Sequence, residues 1–350
     1  MKYLFYFVHP AKYHLFRYTI LKLKEEHNTV DIVINSKGVL EDLLIKEGWK
    51  YKNIFPKGRN ISSKPSIIKS GLKFLLTLFR LEIYLWENGK YDIFITDDAL
   101  VVNGWFRHIP SYIFNDNDIE TIRINKILFY FATMIICPTS TFLGPFENKK
   151  ISFKGNKALA HLHPKYFSPD EKTIIKYGFI KYKYIIVRLA ILNATHDANK
   201  NIGIQENDIN KLIEISGDKF KIIILNERKI KAEYSKFYYP GQPNEIFDFF
   251  AYAKLVISDS GTMATEASVL GTPNILINKL AKYIGVHKEL KNAGLQLFFD
   301  CFDEALLIIC EFINEDQSVI NWNERKEKYL SRCDDPNEIF INLFKEFYEK

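Results

Sequence analysis

A chain of 350 residues is too long for one typical core, so two domains of roughly 150 residues each are expected. The composition, 47% hydrophobic and 26% charged, is that of a soluble globular protein, and the aromatic share of 15% reads first as codon bias in an AT-rich genome. The net charge of +6 is spread along the chain; it suits an anionic substrate or a membrane-surface acceptor, and no zinc-knuckle, RNP or basic-helix pattern argues for nucleic acid. Cys137, Cys301, Cys310 and Cys333 show no paired or CxxC spacing, which speaks against a disulfide or metal framework and for a reducing cytoplasm. The apolar run Tyr3 to Val8 is too short for a signal peptide and is ended by His9-Pro10. No run of about 18 apolar residues predicts a membrane span.

The predicted elements alternate from the start. Tyr3 to Val8 is a strand covered on both faces, and Pro10 opens a helix to Lys24, a first helical position where its missing N–H costs nothing. Strands follow at Val30 to Ile34 and Tyr51 to Ile54, with a short helix, Leu40 to Lys46, between them. A long helix, Ser66 to Trp86, leads to strands Ile93 to Thr96, Ser111 to Phe114 and Met134 to Cys137. A linker is expected around Lys165 to Asp170, where Pro164 and Pro169 break the pattern. The alternation then restarts with strands Tyr184 to Leu189, Phe220 to Leu225, Leu255 to Ile257 and Asn274 to Ile277. Helices Asp208 to Ile215, Ile246 to Ala253 and Thr262 to Leu270 lie between them. Asp334-Asp335-Pro336 caps a last helix to Tyr348. Two βα series predict two Rossmann-like domains, residues 1–168 and 169–332, with residues 333–350 packing back on the first. Open parallel sheets bind ligands beyond the carboxyl ends of their strands, so chemistry is expected there, in a cleft shared by the two domains.

The segment Ser258-Asp259-Ser260-Gly261-Thr262 follows a predicted strand and opens a helix. Backbone N–H groups and hydroxyls at a helix N-terminus, with the dipole behind them, favour an anion such as a diphosphate. Gly261 permits close backbone approach, and Glu266, one turn past Thr262, is within reach of vicinal ribose hydroxyls. The plain alternative is an ordinary helix cap with a solvated glutamate. Asp97 and Asp116 also follow predicted strands, where a carboxylate takes a proton from a hydroxyl or a sugar carbon. Helix capping is their alternative role. His9 and His14 flank the start of the first helix, as contacts to phosphate or acceptor or as packing groups. His196, with Asn193 and Asp197 beside it, can stabilise charge on a departing diphosphate, whereas His161 and His163 read as packing residues. The helix Ser66 to Trp86 interleaves Lys69, Lys73 and Arg80 with bulky apolar residues. It reads either as a core helix with snorkelling lysines or as a membrane-surface face.

Ser258 to Pro273 resembles the nucleotide-diphosphate segment of the UDP-N-acetylglucosamine 2-epimerases and related GT-B glycosyltransferases. In that group the serine and glycine hold the diphosphate, a helix glutamate holds the ribose, and a histidine after the first strand of the second domain belongs to the active site. The resemblance carries these roles to Ser258, Ser260, Gly261, Glu266 and His196; Thr262, at the same helix start, and Asn193, beside His196, complete the nucleotide-sugar-binding candidates. The epimerases have two adjacent glutamates where this chain has Thr265-Glu266. A closer resemblance is to a family of uncharacterised GT-B proteins neighbouring the epimerases. It is carried by Val8 to Phe16, Leu162 to Asp170, Leu192 to Asp197 and Gly261 to Pro273.

The resemblance implies a GT-B α/β fold. The expected function is a glycosyltransferase moving sugar from a UDP-sugar to a cell-envelope or capsular glycan, free or lipid-linked, because Asn115, Asn117 and Thr265 leave fewer carboxylates than epimerisation asks for. Asp97, Asp116, His196 and His14 are then the catalytic candidates. No metal or cofactor is expected beyond the UDP-sugar substrate. The expected location is cytoplasmic, with peripheral contact at the inner face of the membrane. The rivals are a UDP-N-acetylglucosamine 2-epimerase, hydrolysing or not, and a non-catalytic nucleotide-sugar-binding protein.

Overall fold

The structure is a computed structural model and describes residues 1–35, 38–58, 67–122, 125–190, 203–314 and 318–346. The chain divides into two units. One comprises Met1–His161 with Asp334–Lys350, the other Leu162–Cys333.

The first unit is built on β1 (Lys2–Phe7), α1 (Pro10–Glu25), β2 (Thr29–Ile34), α2 (Val39–Lys46) and β3 (Lys52–Asn53). The chain continues with α3 (Ile67–Asn88), β4 (Ile93–Thr96), α4 (Leu100–Arg107), β5 (Ser111–Phe114), β6 (Met134–Pro138), β7 (Lys150–Phe153) and α5 (Leu159–Leu162). The strands form one parallel sheet in the order β3-β2-β1-β4-β5-β6-β7. Side chains of a strand alternate between faces. Tyr3, Phe5 and Phe7 therefore join one core with Phe16 and Ile20 of α1, while Leu4 and Tyr6 join another with Leu81, Tyr84 and Leu85 of α3. This double coverage is why β1 reads as a continuous apolar run.

The second unit contains α6 (Glu171–Lys176), β8 (Tyr184–Leu189), α7 (Glu206–Ser216), β9 (Lys221–Asn226), α8 (Ile246–Ala251) and β10 (Leu255–Ser258). It continues with α9 (Gly261–Leu270), β11 (Asn274–Ile277), α10 (Gly285–Asn292), β12 (Leu297–Phe299), α11 (Phe302–Asn314) and α12 (Ser318–Leu330). Its sheet is also parallel, in the order β12-β11-β10-β8-β9. Helix α9 ends at Gly271, whose φ of +77° is the left-handed cap that glycine adopts at least cost.

The last helix, α13 (Pro336–Glu346), belongs to the first unit. Phe340 packs 5.2 Å from the Phe16 ring, and Asn337 accepts from Thr19 Oγ1 at 2.9 Å and donates to the Ala160 carbonyl at 2.8 Å. The division falls at His161/Leu162 rather than after Ser168. The expected linker is part of the second unit: Asp170 N–H donates to Asp248 of α8 at 2.8 Å, and Tyr252 donates to the Pro169 carbonyl at 2.9 Å. The end of that unit also differs by one residue, because Asp334 pairs with Lys154 at the end of β7.

Helix α3 buries one face, with Thr77, Leu81 and Leu85 inside, yet its opposite face is also apolar and exposed. The reading of α3 as a core helix therefore holds for one side only. Among the described residues no helix is long and apolar enough to cross a membrane.

Candidate functional site

In the first unit the strand order reverses between β1 and β4, since β1 leads outward to β2 and β3 while β4 leads to β5 to β7. The loops after those two strands flank the crevice where such sheets take ligands. After β1, His9 is the N-cap of α1; its Nδ1 accepts from the Ala11 N–H at 3.2 Å, which is the capping role. After β4, the two aspartates part company. Asp98 accepts from the Ala99 N–H at 2.6 Å at the start of α4. Asp97 is instead held by Lys12 of α1, with Nζ 3.3 Å from Oδ2 and both side chains mostly buried. Its Oδ1 is buried with no hydrogen-bond partner among the described residues.

The same Lys12 lies 4.8 Å from the centre of the Phe114 ring at the end of β5. Just beyond, Asp116 pairs with Lys157 at 2.8 Å. Its neighbours have structural tasks: Asn115 donates to the Asn117 carbonyl at 2.6 Å, and Asp118 accepts from the Phe142 N–H at 3.1 Å. His14 faces His161 with ring centres 5.2 Å apart. His161 is buried, and burial, aided by the charge of Lys157, pushes its imidazole down to about 3, so it stays neutral. His163 is a turn residue whose Nδ1 accepts from the Lys165 N–H at 3.1 Å. The fold thus strings Asp97, Asp116 and His14 together through Lys12, Lys157 and His161. Sequence reading gave no role to either lysine. The signal was there for Lys12, placed one turn into the helix that follows β1.

In the second unit the order reverses between β8 and β10. Asp259, at the end of β10, joins these two strands: it accepts from the Ala190 N–H at 2.6 Å and from the Ile204 N–H at 3.4 Å, and lies 3.3 Å from Arg228. Burial raises its carboxyl above the usual range, and the bond from Ala190 and the Arg228 charge pull it back. Asp259 therefore shapes the loop that feeds α9. Ser258 does the same: it is fully buried, its Oγ accepts from the Ser260 N–H at 2.9 Å, and it donates to the Ser260 carbonyl at 3.0 Å. Ser260 is the N-cap of α9 and uses no side-chain cap bond, so its hydroxyl, with Gly261 and Thr262, edges the first turn. The N–H groups of a first turn have no acceptor inside their own helix, and such a turn favours an anion.

Two expectations change here. Glu266 is not a solvated glutamate: it is 5% exposed, one turn inside α9. Gly261 is required by a side chain that sequence reading passed over. A Cβ there would lie 2.7 Å from Nε2 of His287 in α10. His287 is itself buried, with Nδ1 2.8 Å from Gln296 Oε1, so an imidazole lies against the opening of α9. Nothing in the spacing between residues 261 and 287 announces this contact. Asn193 and His196 lie outside the described residues. Among the described residues no group of three or more His, Cys, Asp or Glu side chains is arranged to hold a metal.

Solved structures of similar fold span nearly the whole chain. A UDP-GlcNAc 2-epimerase from Methanocaldococcus jannaschii, in complex with UDP-GlcNAc and UDP, is 16% identical, with a TM-score of 0.69 over 99% of this chain and 100% of that one. The UDP-GlcNAc 2-epimerase from Neisseria meningitidis bound to UDP-GlcNAc is 17% identical, with a TM-score of 0.65 over 99% and 100%. The glycotransferase of kitacinnamycin is 9% identical, with a TM-score of 0.59 over 99% and 98%. These likenesses show an α/β fold of the GT-B type; function has to be argued from the site. A search of curated proteins found no match. Residues 7–349 match the family model described as protein of unknown function (DUF354), and with nearly the whole chain covered, the protein belongs to that family.

Proposed function

We propose that the protein transfers a sugar from a UDP-sugar to a hydroxyl of a glycan acceptor. The observation that carries the nucleotide-sugar reading is the start of α9, where Ser260, Gly261 and Thr262 edge a helix N-terminus and Glu266 stands buried one turn behind. The first turn binds the diphosphate, and the Glu266 carboxylate accepts from the ribose hydroxyls. Asp97 is the base. Lys12 holds one of its oxygens, and the other takes the acceptor proton as the acceptor oxygen attacks the anomeric carbon. The bond from that carbon to the diphosphate breaks and UDP leaves, with His196 proposed to stabilise its charge.

Epimerisation at carbon 2 is the second reading, and one observation favours it. Removing a proton and returning one on the opposite face needs two proton carriers, and the first unit holds two carboxylate–lysine pairs, Asp97 with Lys12 and Asp116 with Lys157. Incubation with UDP-N-acetylglucosamine in deuterated water separates the readings. Transfer leaves carbon 2 unlabelled. Deuterium entering carbon 2, and lost in Asp97→Asn or Asp116→Asn, establishes the epimerase.

Binding is tested first. UDP at 100 times its dissociation constant stabilises by about 2.7 kcal/mol. Glu266→Ala should weaken UDP by roughly 1–3 kcal/mol and its 2′-deoxy analogue far less. If UDP, GDP, dTDP and CMP all leave the melting curve unmoved, the nucleotide site is wrongly placed.

A further inference from the structure

The exposed face of α3 carries Leu72, Leu75, Leu76, Phe79, Ile83 and Trp86, with Phe79 63% and Trp86 78% exposed. At 3.6 residues per turn these six lie within an arc of roughly 100° on the side away from the core. Trp105 and Phe106 of the neighbouring α4 are exposed as well. Arg107 links the two groups, lying over the Trp86 ring at 5.7 Å and pairing with Glu82 of α3. A contiguous apolar patch larger than a few hundred Å² marks an interaction surface rather than ordinary scatter.

We infer that this face joins two copies of the chain, with the α3 helices antiparallel about a two-fold axis passing close to Phe79. In such a contact residue i meets residue j while j meets i, so the surface must complement itself. The stripe does so. Leu72, Leu75, Ile83 and Trp86 are placed symmetrically about Phe79, which sets Leu72 against Trp86, Leu75 against Ile83 and Phe79 against its counterpart.

The charges follow the same rule. Lys69 and Lys73 lie in the first half of the helix and the exposed Glu87 in the second, and an antiparallel pair brings opposite halves together. The area also suffices. The exposed parts of the eight apolar side chains on α3 and α4 sum to about 1,000 Å² per protomer, enough for a contact of standard size, ~1,600 Å² over both partners.

The rival occupant is a membrane of anionic lipid, because no Asp or Glu lies between Lys57 and Arg80. Glu87, exposed beside the stripe, counts against it, and a bilayer makes no demand for symmetry about Phe79.

The test uses the full chain and does not depend on which reaction it performs. Sedimentation or light scattering at micromolar concentration should give a dimer, and Phe79→Glu should give a monomer that keeps its melting temperature and its response to UDP. Phe79→Cys should form a disulfide-linked dimer on mild oxidation, well above the level in the parent chain with its own four cysteines. Trp86→Asp, at a more exposed position, repeats the dissociation should Phe79→Glu fold poorly. A monomeric parent chain overturns the inference. A dimer that survives both charged substitutions overturns it too, and so does a monomer that floats with phosphatidylserine vesicles, which would give the stripe to the membrane.

Discussion

The imidazole of His287 stands where any side chain at position 261 would have to begin, with Nε2 2.7 Å from the place a Cβ on Gly261 would take. Gln296 holds the far edge of the ring at 2.8 Å, so the ring cannot simply swing aside. Gly261 is therefore small on account of a neighbour in the protein, and the opening of α9 and α10 are packed as one piece. Gly261→Ala should cost about 1–3 kcal/mol of stability through overpacking. His287→Ala makes room, so the double variant should be more stable than the sum of the single losses predicts, by roughly 0.5–3 kcal/mol. Urea unfolding of the four proteins measures this. Additive losses would mean that the ring yields freely and does not shape the site.

Asp97 and Lys12 give a prediction that separates chemistry from binding. Asp97→Asn keeps the size of the side chain and removes its basicity, so turnover should fall by about 10²–10⁴-fold with UDP affinity unchanged. Lys12→Met should also lower turnover, since it frees the carboxylate from its position. Turnover and calorimetric UDP binding measured on the same samples decide the matter. Unchanged turnover in Asp97→Asn would return the residue to a structural role.

His161 predicts an acid-sensitive first unit. Its imidazole, ordinarily near 6.5, is pushed down to about 3 by burial and then by Lys157. Between those values the unfolded chain binds a proton that the folded one does not. Stability from this group is therefore complete above pH 6.5 and is lost as the pH falls through that window, by on the order of a few kcal/mol. His161→Phe should flatten the fall in stability between pH 6.5 and 4, as followed by chemical unfolding. An unchanged slope would mean that other groups set the acid limit.

The last helix predicts a large mutational effect far from any chemistry. Phe340 is fully buried, 5.2 Å from the ring of Phe16, 6.2 Å from Phe114 and 6.1 Å from Phe153. Phe340→Ala should destabilise the first unit by about 3–5 kcal/mol. Nucleotide binding by the second unit should persist under conditions that keep the variant folded. A loss below about 1 kcal/mol would mean that α13 docks only loosely.

Ten of the twelve described strands were legible, most of them because a strand buried on both faces appears as an unbroken apolar run, as in Tyr3–Phe7, Tyr184–Val187 and Ile275–Ile277; the short, partly exposed β7 and β12 were not read. The opening and end of α9 were legible for local reasons too: Ser260 suits an N-cap, and Gly271 takes a positive φ that other residues resist. These are properties of a residue and its near neighbours, and the sequence by itself determined them. Contacts between segments distant in the chain could not be read this way. Lys12 finds Asp97, Lys157 finds Asp116, and His287 fills the space above Gly261 only because the parallel sheets bring those loops together. Helix α3 shows the limit most clearly. Apolar residues on both of its faces predict burial of either, and only the tertiary structure, by packing Leu81 and Leu85 against β1 and leaving Phe79 and Trp86 outside, decided which face the fold covers.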